Sequence, residues 1–171
     1  MEKNIILLQA KYNQYANSNL FALLEQIDSK ILTHNMGTYY KSILGTIEHY
    51  LTSSIVFFAR NFSGLADKNI CIQEIMSFLE VDFVLKSEYK NNLAALKMVV
   101  QKVDSKMIEI IENMNDFDKD TKLEIGSFSI TKNRAQLLLT FLNHNTHHRG
   151  EISAMLDILG ISNNFAGMLM M

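Results

Sequence analysis

The chain contains no proline and only seven glycines in 171 residues. Proline breaks helices and glycine loosens them, so their scarcity leaves long helices free to run. It also argues against the proline-rich linkers that join separate domains. Cysteine is nearly missing too. A lone Cys71 cannot form an internal disulfide, which fits a reducing cytoplasm, and its expected role is packing. There is no excess of positive charge: 16 Lys and Arg against 18 Asp and Glu leave a formal charge of −2. A protein that grips nucleic acid by its phosphates needs a basic stripe, and none is present. Apolar runs such as Ile55-Val56-Phe57-Phe58-Ala59 fall far short of the ~20 residues of a membrane span. The opening stretch Met1-Glu2-Lys3-Asn4-Ile5-Ile6-Leu7-Leu8-Gln9 lacks the sustained apolar region and cleavage site of a signal peptide. The expectation is a soluble cytoplasmic protein with neither nucleic acid nor membrane as partner.

What is present is helical periodicity. At this length the chain reads as one domain, residues 1–171, with a core large enough to need no staples. Apolar residues recur at threes and fours in four long stretches. The first runs from about Ile5 to Ile27, and His34, Asn35 and Gly37 then mark a turn with His34 in solvent. The second runs from about Thr38 to Arg60. Residues 61–69 read as a loop containing Gly64, and Ile70 to Leu79 as a short extra helix. The third is expected to start at Ser87 as N-cap and to continue through Val100, Val103 and Met107 to Met114. Leu123, Ile125, Phe128 and Ile130 around Gly126-Ser127 predict a small hairpin or extended crossover. Thr131 is a candidate cap for the fourth helix, which ends at Gly160. The fold class is all-α, a four-helix bundle with long connections, in which side chains facing inward can build a metal site. The apolar ending Met168-Leu169-Met170-Met171 reads as a segment packed on the bundle, or as part of a dimer surface or lid.

Three of the five histidines fall within Asn143-His144-Asn145-Thr146-His147-His148-Arg149-Gly150-Glu151. Residues four apart on a helix share a face, so His144 and His148 project side by side while His147 points elsewhere. His49 lies mid-helix on a strip of small residues, Ser42, Gly45, Thr46 and Ser53, which leaves room for a cavity. Three neutral imidazoles from two helices hold a divalent ion and leave a position open for water or substrate. Zinc fits such a set, and nickel, iron or copper also accept imidazole. Glu151, one turn after His148, is an outer acceptor for a ligand, a general base, or a solvated charge at the rim. The spacing is not that of the zinc proteases, which carry glutamate directly after the first histidine. A bundle with histidines merely packed in its core is the bland alternative.

The segment from Asn143 to Glu151 closely resembles the NHxTHHRGQ signature of the DinB family, within the wider DinB/YfiT-like superfamily. Ser42-Ile43-Leu44-Gly45-Thr46-Ile47-Glu48-His49 resembles that family's S-x-x-G-T-L-x-H segment. Tyr12-Asn13-Gln14-Tyr15-Ala16-Asn17 matches its Tyr-Asn-x-Trp-Ala-Asn. The resemblance implies a four-helix bundle binding a divalent metal, zinc or nickel, through His49, His144 and His148, often as a homodimer. It implies a metal-dependent enzyme acting on a small thiol or an activated electrophile, of thiol-transferase or hydrolase type; within such a scheme Glu151 and Tyr50 are the candidates from this chain to assist proton transfer. The alternative is a non-catalytic stress-response or binding protein that the metal stabilises. The chain departs from the family pattern at Ser54, where Asp is common, at Phe57, where Trp is common, and at Glu151, where Gln is usual.

Overall fold

The computed structural model describes residues 2–125, 128–165 and 167–171. Helix α1 spans Glu2–Leu24, followed by the single turn α2, Ser29–Leu32. The second long rod is composite. It begins as α3, Ile43–Ser53, widens into a π-helical segment, Ser54–Ala59, and closes as α4, Arg60–Phe62. After the turn α5, Gln73–Met76, come α6, Leu93–Glu112, the strands β1, Asp120–Ile125, and β2, Phe128–Asn133, and α7, Arg134–Ile158. Helix α1 packs along α6 and α7, and α3 packs on α7 and α6. The first two long helices therefore sit diagonally across the bundle, which is why a long connection separates them. The apolar stripes meet in one contiguous core that includes Leu20, Ile47, Phe58, Val103, Leu142 and Ile152. Among the described residues no helix is long and apolar enough to cross a membrane.

Capping decides where the helices begin, and it corrects three expected boundaries. Helix α3 starts at Ile43 rather than near Thr38, because Ser42 is extended and its hydroxyl accepts from the Gly45 N–H at 3.1 Å. Helix α6 starts at Leu93, not at Ser87. Residues 86–90 form a hydrogen-bonded turn, Asn91 takes a φ of +54°, and the Asn92 side chain then caps the Ala95 N–H. Thr131 does not cap α7. It pairs with Lys122 in the hairpin, and Asn133 caps the Gln136 N–H at 2.8 Å. Each cap satisfies an amide that the first helical turn leaves without a partner. At the other end of α7, Gly160 adopts a φ of +72°, the left-handed conformation of a helix stop.

The antiparallel hairpin runs in register from Asp120 opposite Asn133 to Ile125 opposite Phe128, and the expected turn residues Gly126 and Ser127 lie outside the described residues. The extra helix is shorter than the expected Ile70–Leu79 stretch. Gly64 lies in a 3-10 turn, Ser63–Leu65, and not in an open loop. Cys71 is exposed, so it does not serve in packing. The apolar ending is also largely exposed, with Leu169 at 99%; Met170 and Met171 lie over a shallow cavity edged by Lys11, Tyr15 and Ile108.

Candidate metal centre

Helices α3 and α7 pack on each other and bring His49, His144 and His148 together. One ring nitrogen from each lies within 4.8 Å of the other two. The ring centroids are 4.4 Å apart for His144 and His148, 4.7 Å for His49 and His148, and 5.3 Å for His49 and His144. His148 is buried, and the other two are half-buried.

The hydrogen bonds fix which nitrogens face inward. His148 Nδ1 lies 2.7 Å from Glu151 Oε2. An ionised carboxylate only accepts, so Nδ1 carries a proton toward Glu151 and Nε2 turns into the cluster. There it meets His144 Nε2 at 3.1 Å. A proton between those two nitrogens accounts for the 3.1 Å contact, and a metal ion could take that proton's place. Tetrahedral ligation at ~2.0 Å needs nitrogens ~3.3 Å apart, close to what the His144–His148 pair already has. Burial and the neighbouring His148 hold His144 far below the usual imidazole range, at about 4. The same two causes, in the same order, lower His49. His49 and His144 therefore stay neutral and offer lone pairs at neutral pH. The donor chemistry and the fixed ring of His148 fit a divalent cation.

A second trio, His147, His148 and Glu151, also has donors within 4.8 Å, but His148 and Glu151 are already hydrogen-bonded to each other. Glu151 accepts from His148 through one oxygen and lies 3.2 Å from His147 Nε2 through the other. His147 is exposed, as its phase on the helix predicts. Of the residues expected to assist proton transfer, Glu151 thus stands directly behind a candidate ligand. Tyr50 does not reach the site. It is 1% exposed, its hydroxyl faces Asn17 Oδ1 at 3.5 Å, and burial pushes its phenol further above the ordinary range. Neighbours on a helix diverge by ~100°, so His49 and Tyr50 face different surroundings. His34 is exposed in its turn, away from the cluster.

Tyr40 is the residue that sequence reasoning missed. Its hydroxyl lies 2.8 Å from His49 Nε2, its ring stacks on His49 at 4.0 Å, and it meets His148 edge-on. Burial, with Tyr39 and Glu151 nearby, raises its phenol, so it stays a hydrogen-bond donor. The small-residue strip explains its position. A Cβ at Gly45 would lie 2.3 Å from the Tyr40 carbonyl oxygen, so only glycine lets the 38–42 loop lie so close to α3. Ser42, Gly45 and Thr46 thus seat this loop, while Ser53 and Val56 border the open space. That space is a cavity of about 730 Å³ with His49 at one end and Arg60 in its lining.

The DinB family profile matches residues 1–166. The Protein DinB of Bacillus subtilis (strain 168) is 23% identical over 153 residues, which cover 88% of this chain and 83% of that protein.

Proposed function

The chain belongs to the DinB family, and from that premise we propose that it holds one divalent metal ion on His49, His144 and His148 and uses it as a metal-dependent enzyme on a small thiol or an activated electrophile. The observation that carries this reading is the convergence of three imidazoles from two helices beside a cavity wide enough for a small molecule. A bound zinc or nickel ion supplies the charge that lowers the pKa of a thiol or water molecule in contact with it. The protein supplies the rest. Glu151 is a positioning residue that fixes the His148 ring through Nδ1, and the oxygen so engaged is not free to act as a base. Tyr40 holds a phenolic proton at the rim and donates to His49 until a ligand claims that nitrogen. In thiol transfer the sulfur loses its proton, an S–C bond forms, and the leaving group departs with the electrons of its bond to carbon. Hydrolysis has the same balance with oxygen in place of sulfur.

The non-catalytic alternative assigns the metal to pinning α3 to α7. The same rod already meets α7 through a buried hydrogen bond just past the end of α3, from the Asn145 amide to the Ser54 hydroxyl at 3.1 Å, which weakens the need for a purely structural ion. Elemental analysis of protein purified without an affinity tag tests the site: one tightly held ion per chain is expected, and metal-free protein that gains none on loading overturns it. Turnover of thiols with alkylating or ester electrophiles tests the enzyme. Activity that vanishes with chelation and returns with metal supports it. A fully loaded protein that turns over none of them favours the stabilised binding protein.

A further inference from the structure

Of the three histidines His49 lines the cavity, and the far end of that space carries its own chemistry. His49, Ser53, Val56 and Arg60 recur at four, three and four residues along one rod, so all line the same wall. Eleven positions separate His49 from Arg60, at most ~16 Å at the ~1.5 Å per residue of an α-helix, because the π-helical stretch Ser54–Ala59 rises less. Phe57 and Phe83 border the space between. The guanidinium of Arg60 lies 4.7 Å from the Phe83 ring centroid, and among the described residues no carboxylate pairs with it. Glu124 also lines the cavity, but its carboxylate is matched by Lys122 at 2.8 Å, which leaves Arg60 as the uncompensated charge there.

Two features indicate that this wall is built rather than incidental. Phe83 has a φ of +63°, a left-handed conformation unfavourable for a bulky residue, and the residue nonetheless stays 38% exposed beside the cation. Strain of this kind persists where the surroundings impose it, often at ligand sites. The wall itself is π-helical over Ser54–Ala59, a winding frequent at functional sites. The Asn61 amide supports it by donating to the Phe57 carbonyl at 2.9 Å.

We infer that this cleft binds an elongated substrate with its reactive group at the histidines, an apolar body on Val56, Phe57 and Phe83, and an anionic end on Arg60. The assignment rests on the metal reading above for its reactive end alone. A planar guanidinium takes a carboxylate or a phosphate through paired hydrogen bonds, and the aromatic ring beneath it adds to the cation's fixed position.

The test uses cobalt-loaded full-length protein, calorimetry and the thiolate-to-cobalt absorption band. The probes are mercaptoundecanoic acid, the corresponding phosphonic acid, and mercaptoundecanol. Either acid is expected to bind about tenfold tighter than the alcohol, and the tighter of the two identifies the anion. Arg60→Met is expected to reduce that ratio to about one while cobalt content is retained. An equal ratio in the wild type and in Arg60→Met overturns the proposal. Undecanoate and undecanol, which lack the thiol, keep the two readings separate. Failure of the absorption band with Arg60-dependent undecanoate binding rejects the metal reading and sustains the cleft. A normal band with no Arg60 dependence does the reverse.

Discussion

Helices α3 and α7 carry two polar clusters built from adjacent residues. His49 and His148 belong to one, and Tyr50 and Arg149 to the other. In the second, Arg149 is 2% exposed and donates to Oδ1 of Asn13 at 2.5 Å and of Asn17 at 3.1 Å. The amides of those two asparagines each donate at 2.8 Å to the oxygens of Asp104. Two amides thus relay the charge of a guanidinium on α7 through α1 to a carboxylate on α6, with the Tyr50 hydroxyl on α3 facing Asn17. Every donor meets an acceptor, so this knot closes all four helices and has nothing left to bind. The histidine cluster is the opposite case. Two of its nitrogens face each other at 3.1 Å, and burial and the neighbouring ring of His148 lower His49 and His144. It has donors that a cation could take up. Neighbouring positions on the same helices thus separate structure from site: one cluster is electrically closed, the other open.

The largest expected effect breaks the closed cluster. Above pH ~7, where Asp104 is ionised, Arg149→Met leaves that carboxylate buried without its cation, which costs about 3–5 kcal/mol, read as a drop in the urea midpoint. Combining it with Asp104→Asn should recover part of that loss, because the two sites are coupled. Metal content per folded chain should stay near that of the wild type in both. Loss of metal at undiminished stability would move the knot into the site. Next is the open cluster. His144→Ala should abolish metal retention and leave the metal-free melting temperature nearly unchanged. The wild type alone should gain stability on loading, about 2.7 kcal/mol at a hundredfold excess over Kd. An equal gain in both proteins would place the ion elsewhere.

The two clusters should also titrate in opposite directions. Burial raises Asp104 to about 7, against the opposing hydrogen bond of Asn17, the Arg149 charge and the Asn13 hydrogen bond. Between the ordinary Asp value of ~3.9 and 7 the folded chain holds a proton that the unfolded chain has lost, so stability falls as pH rises. His144 is lowered to about 4. Between there and the ordinary ~6.5 the unfolded chain holds the extra proton, so stability rises with pH. In chelated protein the slopes oppose each other, each on the order of 1–3 kcal/mol, with that of His144 discounted for its partial exposure. Asp104→Asn should expose the rising slope and His144→Gln the falling one, as read from urea midpoints across this range. Slopes unchanged by either substitution would show that other groups control the acid limb.

The long helices were legible because apolar spacing is a repeating signal over many turns. The pairing of His144 with His148 was legible because a separation of four fixes a shared face. The knot was half legible: Asn13 and Asn17 are also four apart, and Asp104 sits within the Val100, Val103, Met107 stripe, each a polar residue at a core position. Arg149 looked like part of a motif rather than a buried charge, since nothing local reveals that Asn13 and Asn17 lie opposite it. Tyr50 was drawn toward the site by sequence adjacency to His49, and helical rotation removed it. Tyr40 left no periodic trace. Its position depends on a non-helical loop lying against Gly45, a tertiary contact visible only once α3 is capped at Ser42. The caps were illegible for a similar reason. Ser87, Asn92, Thr131 and Asn133 are all chemically able to cap, and the choice among them depends on where the preceding turn and hairpin end.

The loop over the open cluster offers two smaller tests of its accessibility. Gly45→Ala sets a methyl against the Tyr40 carbonyl and should cost about 1–3 kcal/mol by overpacking. Hydrogen exchange should rise across residues 38–42 and stay unchanged in the knot. Tyr40→Phe is the mildest change. It removes the hydroxyl at 2.8 Å from His49 Nε2 and keeps the stacked ring. Losing one partly buried hydrogen bond should lower metal-free stability by about 1 kcal/mol. The hydroxyl competes for the nitrogen that an ion needs, so binding metal breaks that bond in the wild type and breaks nothing in the variant. Metal affinity in competition with a chelating dye should therefore rise a few-fold in Tyr40→Phe. A fall instead would mean that the phenol turns to the ion as a partner, making Tyr40 part of the centre rather than its cover.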